Sequence, residues 1–164
     1  LSTLQTSGTP KKNIYILHCH SEYPSILKDL NLKNMLTLKN FFGCKVGFSD
    51  HSIGKLAAIV ASSLGAEVIE KHVTINNNLY GPDHSSSLPV EDLKNFVENV
   101  KYAKIALGEK KLQRSKAENH NKKIVRKSLI AKKPIKKGEI FLQSNLTCKR
   151  PGTGLSPYLL KKLI

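Results

Sequence analysis

The sequence predicts an α/β fold followed by a small, mostly β module, and three observations support this. Short apolar runs typical of strands alternate with helix-like runs up to about residue 110. Each helix-like run ends at a glycine, as helices commonly do. After a polar, basic stretch, short β-type segments replace the long helical runs.

Three strands are predicted in the first part, over residues 14–19, 45–49 and 67–73. Each is a short run rich in β-favouring apolar residues. Because helix-like runs separate them, they are expected to pair in parallel through right-handed crossovers. Three such units do not make a stable sheet alone, so this part resembles the tail end of a larger domain.

Helices are predicted between and after these strands. Apolar residues recur at helical spacing up to Phe42, and an Ala-rich run over residues 53–64 predicts a buried helix. The last helix has the clearest pattern. Pro89 fits its first turn, acidic residues follow where the helix dipole favours them, and Gly108 ends it.

The predicted domain boundaries follow this change of pattern. Residues 1–110 form the α/β part, residues 111–123 a basic linker, and residues 124–164 the β module. Within that module, residues 124–130 alternate as a half-buried strand does, and residues 140–142 predict a second short strand. A helix is expected only at residues 157–164.

Composition fits a soluble globular protein, with 40% hydrophobic residues. No apolar run approaches the roughly 20 residues that cross a bilayer, and the start lacks a signal peptide pattern. The three cysteines form no paired motif, so a reducing cytoplasm is the expected location. Cys19 is expected to be a small core residue. The first residue, Leu1, is not Met, so we expect either that the natural start has been removed or that the sequence is a piece of something longer.

The net charge of +15 lies entirely in the C-terminal third. Residues 101–164 hold eighteen Lys and Arg against three Asp and Glu, whereas residues 1–100 are balanced. Such a block could bind an anionic polymer. The alternative is a solvated lysine-rich face, because no aromatic residues are interleaved as base stacking requires.

Polar residues gather at the ends of all three predicted strands, where parallel α/β sheets bind ligands. Strand alternation places Ser49 and His51 on one face, and Glu70 and His72 on one face. Two imidazoles on adjacent strand ends can meet one divalent cation and leave positions open for water and substrate. A strand-end histidine that only makes hydrogen bonds is the alternative.

Six segments, spread from residue 17 to residue 157, carry a resemblance to a known family that covers nearly the whole chain. They are LHCHSEYP (residues 17–24), VGFSDHSIG (46–54), VIEKHVT (68–74), GPDHSSSL (81–88), RKSLIAKKPIKKGE (126–139) and NLTCKRPGTGLSP (145–157). In this order they closely resemble the N-acetylneuraminate (sialic acid) synthase family. The resemblance implies the last three βα units of a (β/α)8, or TIM, barrel. A small β-clip domain of the antifreeze-like (SAF) type, shortened at its end, is expected to follow.

The resemblance also implies a reaction. Phosphoenolpyruvate condenses with N-acetylmannosamine, giving N-acetylneuraminate and phosphate. A divalent metal, Mn²⁺ or Mg²⁺, is implied to be held by His51 and His72, which also count as catalytic with Asp83. Substrate contacts are implied for Ser49, which matches a phosphoenolpyruvate-binding position, and for Ser21 and Tyr23.

Arg150 matches the family arginine that enters the partner subunit's barrel and contacts the N-acyl group of the sugar, so a domain-swapped homodimer is expected. The family's early-barrel acid and phosphoenolpyruvate-binding lysines are not in this sequence. Lys71 cannot replace them, because alternation points it away from His72. The 164 residues alone are therefore expected to be inactive.

Two alternatives stay open. Legionaminic and pseudaminic acid synthases share these motifs and use 2,4-diacetamido hexoses. The second alternative is a basic binding module for an anionic polymer. The resemblance to the synthase family implies neither a nucleic acid nor a membrane as partner.

Overall fold

The computed structural model describes residues 1–164 and divides into two compact units, Leu1–Glu109 and Lys110–Ile164. In the first unit the helices are α1 (Ser2–Thr6), α2 (Asn34–Phe42), α3 (Leu56–Ser63) and α4 (Val90–Leu107). Its strands are β1 (Tyr15–Cys19), β2 (Lys45–Asp50), β3 (Val68–Lys71), β4 (Val73–Thr74) and β5 (Leu88–Pro89). The second unit contains α5 (Lys116–Val125), β6 (Ser128–Ala131), β7 (Leu146–Lys149) and α6 (Leu160–Leu163).

The first unit is built on the parallel sheet β1–β2–β3, with β2 in the middle. Ser49 of β2 pairs in register with Cys19 on one side and with Glu70 on the other. The strands lie close together at Gly47, where an added Cβ would come within 2.6 Å of the Val68 carbonyl oxygen. The parallel pairing predicted from the alternation of strands and helices is therefore confirmed.

One face of this sheet carries the main core. Val46 and Phe48 of β2 are fully buried and pack with Met35 of α2 and with Ala57 and Ala61 of α3. The alanines let α3 lie close against the sheet, as the Ala-rich pattern predicts. Helix α2 ends at Gly43, whose φ of 58° is left-handed and therefore suits glycine.

A second, smaller cluster holds α4 in place. Phe96 of α4 packs with Ala58 of α3 and with Leu88 of β5. Helix α4 begins after Pro89 and ends at Gly108, as predicted. No helix in the structure is both long enough and apolar enough to span a membrane.

The opposite face of the sheet is more open in this chain. Tyr15 is 40% exposed and Val68 is 36% exposed, although both lie on strands. Cys19 is exposed on the same face, so its prediction as a core residue is wrong. Alternation explains the error, because the strand buries Ile14 but turns Cys19 away from the helices.

The third predicted strand is interrupted at His72. Strand β3 pairs with β2 and ends at Lys71, whereas β4 begins at Val73 and pairs with β5. His72 therefore lies between two short ladders. A loop of residues 75–87 follows, and it includes a short 3-10 helix, His84–Ser86.

In the second unit, the predicted linker is largely helical, because residues 116–123 belong to α5. The Ser115 hydroxyl accepts from Glu118 N (3.1 Å), and Glu118 Oε2 accepts from Ser115 N (2.7 Å). This reciprocal capping box begins the helix. The hydrogen bond from Ser115 N to the carboxylate, followed by the interaction of the carboxylate with the Ser115 side chain, holds the pKa of Glu118 below its ordinary value. Strand β6 starts only at Ser128, so the strand predicted from residue 124 is too long.

The strand predicted at residues 140–142 is absent, and the partner of β6 is β7. Asn145 explains the difference. Its amide donates to Ile140 O (3.1 Å) and its Oδ1 accepts from Leu142 N (2.8 Å). These backbone groups therefore bond to a side chain instead of a neighbouring strand. Asn145 is buried, whereas Ile140 is 73% exposed.

Candidate active site

The ends of β2 and β3 bring His51 and His72 together. Their ring centroids lie 5.3 Å apart, and the rings meet nearly at right angles (81°). Each histidine comes directly after the last paired residue of its strand, and both side chains point to the open face of the sheet. The two histidines predicted as partners are therefore neighbours in space.

Tyr23, from the loop after β1, packs against both histidines. Its ring stacks on His72 at 4.5 Å between centroids and meets His51 edge-on at 5.3 Å. The Tyr23 hydroxyl hydrogen-bonds to Ser87 Oγ (3.0 Å) and donates to the Asp83 carbonyl oxygen (3.3 Å). Tyr23 thus joins the histidine pair to the loop that carries Asp83.

Asp83 approaches the site from the loop after β4. Its Oδ2 lies 3.5 Å from His72 Nδ1, and its side chain is 54% exposed. The Asp83 carbonyl oxygen accepts from the Ser87 hydroxyl at 2.7 Å, which fixes the backbone. Asn77 closes the loop by donating to the carbonyl oxygens of His84 (2.7 Å) and Ser87 (2.9 Å). The carboxylate is therefore held near His72 and stays accessible.

Ser49 and Glu70 share the open face below the histidines. The Ser49 hydroxyl donates to Glu70 Oε1 at 2.6 Å across the β2–β3 pair. Alternation predicts that these residues flank His51 and His72 on one face, and this contact confirms it. Glu70 was not among the predicted site residues, although the same alternation could have included it.

The two remaining predicted site residues, Ser21 and Arg150, are both exposed. Ser21 is exposed in a bend after β1. Arg150 is exposed in the second unit, directly after β7. Lys71 points to the other face, as predicted, where its ammonium donates to Asp50 Oδ2 at 3.0 Å.

A further neighbour was missed by sequence reasoning. The exposed thiol of Cys19 lies 3.7 Å from His51 Nδ1 and 3.8 Å from Nε2. The register explains this position, because Cys19 pairs with Ser49 and so shares the open face with His51. Strand alternation is the signal that could have found it.

The histidine pair suits a divalent cation. A metal–imidazole bond of about 2 Å places a ring centroid about 3 Å from the ion, so centroids 5.3 Å apart fit two rings on one ion. No group of three or more His, Cys, Asp or Glu side chains is arranged as a metal cage. An ion held by His51 and His72 would keep coordination positions open for water and substrate, unlike an ion in a closed structural site.

Away from the histidines, Lys45 shows a shifted pKa. The Tyr15 hydroxyl accepts a hydrogen bond from its ammonium at 2.8 Å. This bond, followed by the attraction of Tyr15 and Glu67, raises the pKa of Lys45 above its ordinary value. Lys45 lies at the start of β2, at the opposite end of the strand from His51, so the shift has no part in the site.

Comparison with known proteins identifies relatives of this chain. Residues 1–112 match the NeuB family, and residues 126–163 match the SAF domain. The chain is 47% identical to N,N'-diacetyllegionaminic acid synthase of Campylobacter jejuni serotype O:2, over 95% of this chain and 47% of that protein. It is 41% identical to pseudaminic acid synthase of Campylobacter jejuni serotype O:23/36, over 93% of this chain and 44% of that protein.

Solved structures of related proteins superpose on this chain. Spore coat polysaccharide biosynthesis protein spsE from Bacillus subtilis superposes with a TM-score of 0.60 at 31% identity, over 99% of this chain and 50% of that one. N-acetylneuraminic acid (sialic acid) synthetase from Leptospira borgpetersenii gives 0.59 at 36% identity, over 65% of this chain and 38% of that one. The chain thus spans about half the length of its curated relatives. The NeuB match covers well over half of the chain and the SAF match most of the remainder, so the chain belongs to the NeuB family and carries a SAF domain.

Proposed function

We propose that this chain is part of a synthase that condenses phosphoenolpyruvate with an acylated amino sugar, giving a nonulosonic acid and phosphate. The observation that carries the proposal is the pair His51 and His72, 5.3 Å apart at adjacent strand ends, with Tyr23 packed on both rings. Relatives of this chain include legionaminic and pseudaminic acid synthases. Both observations support the synthase expected from the sequence motifs.

In this proposal His51 and His72 hold a divalent ion, Mn²⁺ or Mg²⁺. When bound, such an ion polarises the open-chain sugar aldehyde towards attack by the enol carbon. Tyr23 keeps the two imidazoles oriented. Asp83, 3.5 Å from His72 and half-exposed, is the carboxylate available to the sugar hydroxyls or the attacking water.

The other substrate is assigned to the same face. Ser49 contacts phosphoenolpyruvate in this proposal, and its hydrogen bond to Glu70 orients the hydroxyl. Ser21 and Tyr23 add substrate contacts from the loop after β1. We assign Arg150 to the N-acyl group of the sugar in a partner subunit of a domain-swapped homodimer, since a planar guanidinium suits an amide carbonyl. The completed TIM barrel is part of the same proposal.

The identity of the sugar has two candidates. The resemblance to the sialic acid synthase family gives N-acetylmannosamine as the first expectation. The identities of 47% to a legionaminic acid synthase and 41% to a pseudaminic acid synthase, each over more than 90% of this chain, support a 2,4-diacetamido hexose instead. We therefore place the diacetamido hexose first and N-acetylmannosamine second.

A chimera tests the proposal. The matched region of the Campylobacter jejuni legionaminic acid synthase is replaced by this chain, and phosphate release from phosphoenolpyruvate is measured with the candidate sugars. His51→Ala and His72→Ala should each lower kcat/KM by more than about a hundredfold, because Lewis-acid stabilisation supplies several kcal/mol. His120→Ala, on the exposed surface of α5, is the matched control and should leave the rate unchanged.

Each outcome of the chimera experiment supports or contradicts a particular part of the proposal. Turnover that depends on both histidines supports the proposal, and the preferred sugar ranks the two candidates. A folded chimera that turns over with either histidine replaced by alanine contradicts the metal assignment. A folded chimera without turnover on any of the sugars contradicts the proposed reaction.

A further inference from the structure

The backbone connection between β2 and β3 ends just before the two histidines. Asp50 and Lys71 are the last paired residues of the β2–β3 ladder. His51 and His72 come next along their strands and have no ladder contact with each other. Something other than backbone pairing must therefore fix the distance between them.

Side chains behind the sheet continue the connection past that point. The Lys71 ammonium donates to Asp50 Oδ2 at 3.0 Å and also to the carbonyl oxygen of Ser52. Asp50 Oδ1 in turn accepts from Ser52 N at 2.9 Å and from the Ser52 hydroxyl at 2.7 Å. We call Asp50, Ser52 and Lys71 the β2–β3 clamp.

The three clamp residues are sequence neighbours of the two histidines. Asp50 and Ser52 are the two neighbours of His51 in the chain, and Lys71 directly precedes His72. Lys71, the residue before His72, therefore contacts the residues on both sides of His51. It contacts Asp50 through the carboxylate and Ser52 through the carbonyl oxygen. Because alternation turns the clamp to the opposite face, it does this without entering the site.

Outer contacts fix each histidine on its far side. The His51 carbonyl oxygen accepts from Ser25 N at 2.9 Å, and the His72 carbonyl oxygen accepts from Leu88 N at 2.9 Å. These bonds join each histidine to a different neighbouring segment. Behind the sheet, the clamp joins β3 to β2 beyond the end of their ladder through the contact of Lys71 with the Ser52 carbonyl oxygen.

The burial of the ion pair argues for a role besides stability. The Lys71 side chain is 4% exposed and that of Asp50 is 0% exposed. Removing two charges from water costs several kcal/mol per ion, and apolar replacements of such pairs are often neutral or stabilising. A buried pair is therefore weak evidence of stabilisation, whereas geometric specificity is an attested use of such groups.

We propose that the β2–β3 clamp is a positioning device that sets the separation of His51 and His72 for one divalent ion. This inference rests on the proposed function, because it presumes that the two histidines bind the ion together. Asp50 and Lys71 are positioning residues, which act on the site through the backbone of the histidines.

The test measures Mn²⁺ binding to the chimera described above, in which this chain is completed by the rest of a relative, by the loss of the free-ion electron paramagnetic resonance signal. Lys71→Met and Asp50→Asn each break the pair, and the double variant removes both charges. Lys55→Met is the matched control, since it breaks the Lys55–Asp92 ion pair (2.7 Å) elsewhere in the same unit. Thermal unfolding of every variant is followed by circular dichroism.

The two roles predict different results for the double variant. A structural role predicts that it regains both stability and Mn²⁺ affinity, since no buried charge is left unpaired. A positioning role predicts regained stability with Mn²⁺ affinity still weakened about tenfold or more, as supporting groups around metal ligands typically show. Lys55→Met should bind Mn²⁺ as the parent chimera does.

The remaining outcomes count against one proposal or the other. Parent-like Mn²⁺ affinity in the folded double variant overturns the positioning role of the clamp but not the metal assignment. A double variant that fails to fold also overturns the positioning role, because it shows that the ion pair serves stability. A parent chimera whose Mn²⁺ binding is absent or insensitive to His51→Ala and His72→Ala overturns the metal assignment, and the clamp with it.

Discussion

Tyr23 allows the organisation of the histidine pair to be tested directly. Its ring contacts His72 at 4.5 Å and His51 at 5.3 Å between centroids. Each aromatic contact of this kind contributes about 0.5–1.5 kcal/mol. Tyr23→Ala therefore removes about 1–3 kcal/mol of packing that orients the two imidazoles. Metal binding must then supply the free energy of ordering them.

We expect Tyr23→Ala to weaken Mn²⁺ binding by between about fivefold and a hundredfold, since about 1.4 kcal/mol corresponds to a factor of ten. Tyr23→Phe is the matched variant. It keeps both ring contacts and loses only the hydroxyl bonds to Ser87 and Asp83, so its affinity should stay within about threefold of the parent. Mn²⁺ titration followed by electron paramagnetic resonance measures both variants.

Two results would refute this reasoning. Unchanged affinity in a folded Tyr23→Ala variant would mean that the ring does not orient the histidines. An equal loss in Tyr23→Phe would assign the effect to the hydroxyl and the Asp83 loop. Circular dichroism of each variant separates both results from loss of folding.

Two further predictions concern the two units separately. Gly47→Ala should lower the free energy of unfolding by about 1–3 kcal/mol, because the new Cβ would lie 2.6 Å from the Val68 carbonyl oxygen; an unchanged thermal midpoint would contradict this. The capping box of α5 should weaken in acid. The pKa of Glu118 is lowered in the fold, so its contribution is complete above the ordinary pKa of glutamate and is lost as pH falls through the lowered value. The amide resonance of Ser115 should follow this titration, and Glu118→Gln should abolish it.

The fold of the first unit follows closely from local sequence patterns. Periodicity found α2, α3, α4 and the parallel strands β1–β3, since most of these elements place apolar residues in the two core clusters. The short helix α1, which buries no residue, was not predicted. The errors lie where other interactions compete. Cys19 lies on an apolar strand but faces away from the helices, so it is exposed. The apolar pattern of its strand does not tell which of the two faces is covered.

The second unit was harder to predict, because polar side chains organise it. Asn145 takes up the backbone groups of Ile140 and Leu142, so an apolar run that resembles a strand forms a loop. Helix α5 was missed because its residues are exposed and charged, although the spacing of Ser115 and Glu118 is a capping-box signal. Apolar periodicity alone does not detect such elements.

The candidate site was predictable to the extent that alternation controls it. Ser49 with Glu70 and His51 with His72 follow from the period of a strand and the register of β2 with β3. The approach of Tyr23 and Asp83 does not follow in this way. It depends on two loops joined by the Tyr23–Ser87 hydrogen bond, a contact between residues 64 positions apart.

The same alternation gives the two faces of the sheet different tasks. Residues 49, 51, 70 and 72 face the open side, where chemistry needs access, while Asp50 and Lys71 face the buried side. A charge pair on the open side would compete with substrate and water, whereas on the buried side it can hold the strand ends without contacting either. Substitutions on the open face should therefore change binding and turnover directly. Those at Asp50 and Lys71 should change metal binding through the spacing of the two histidines.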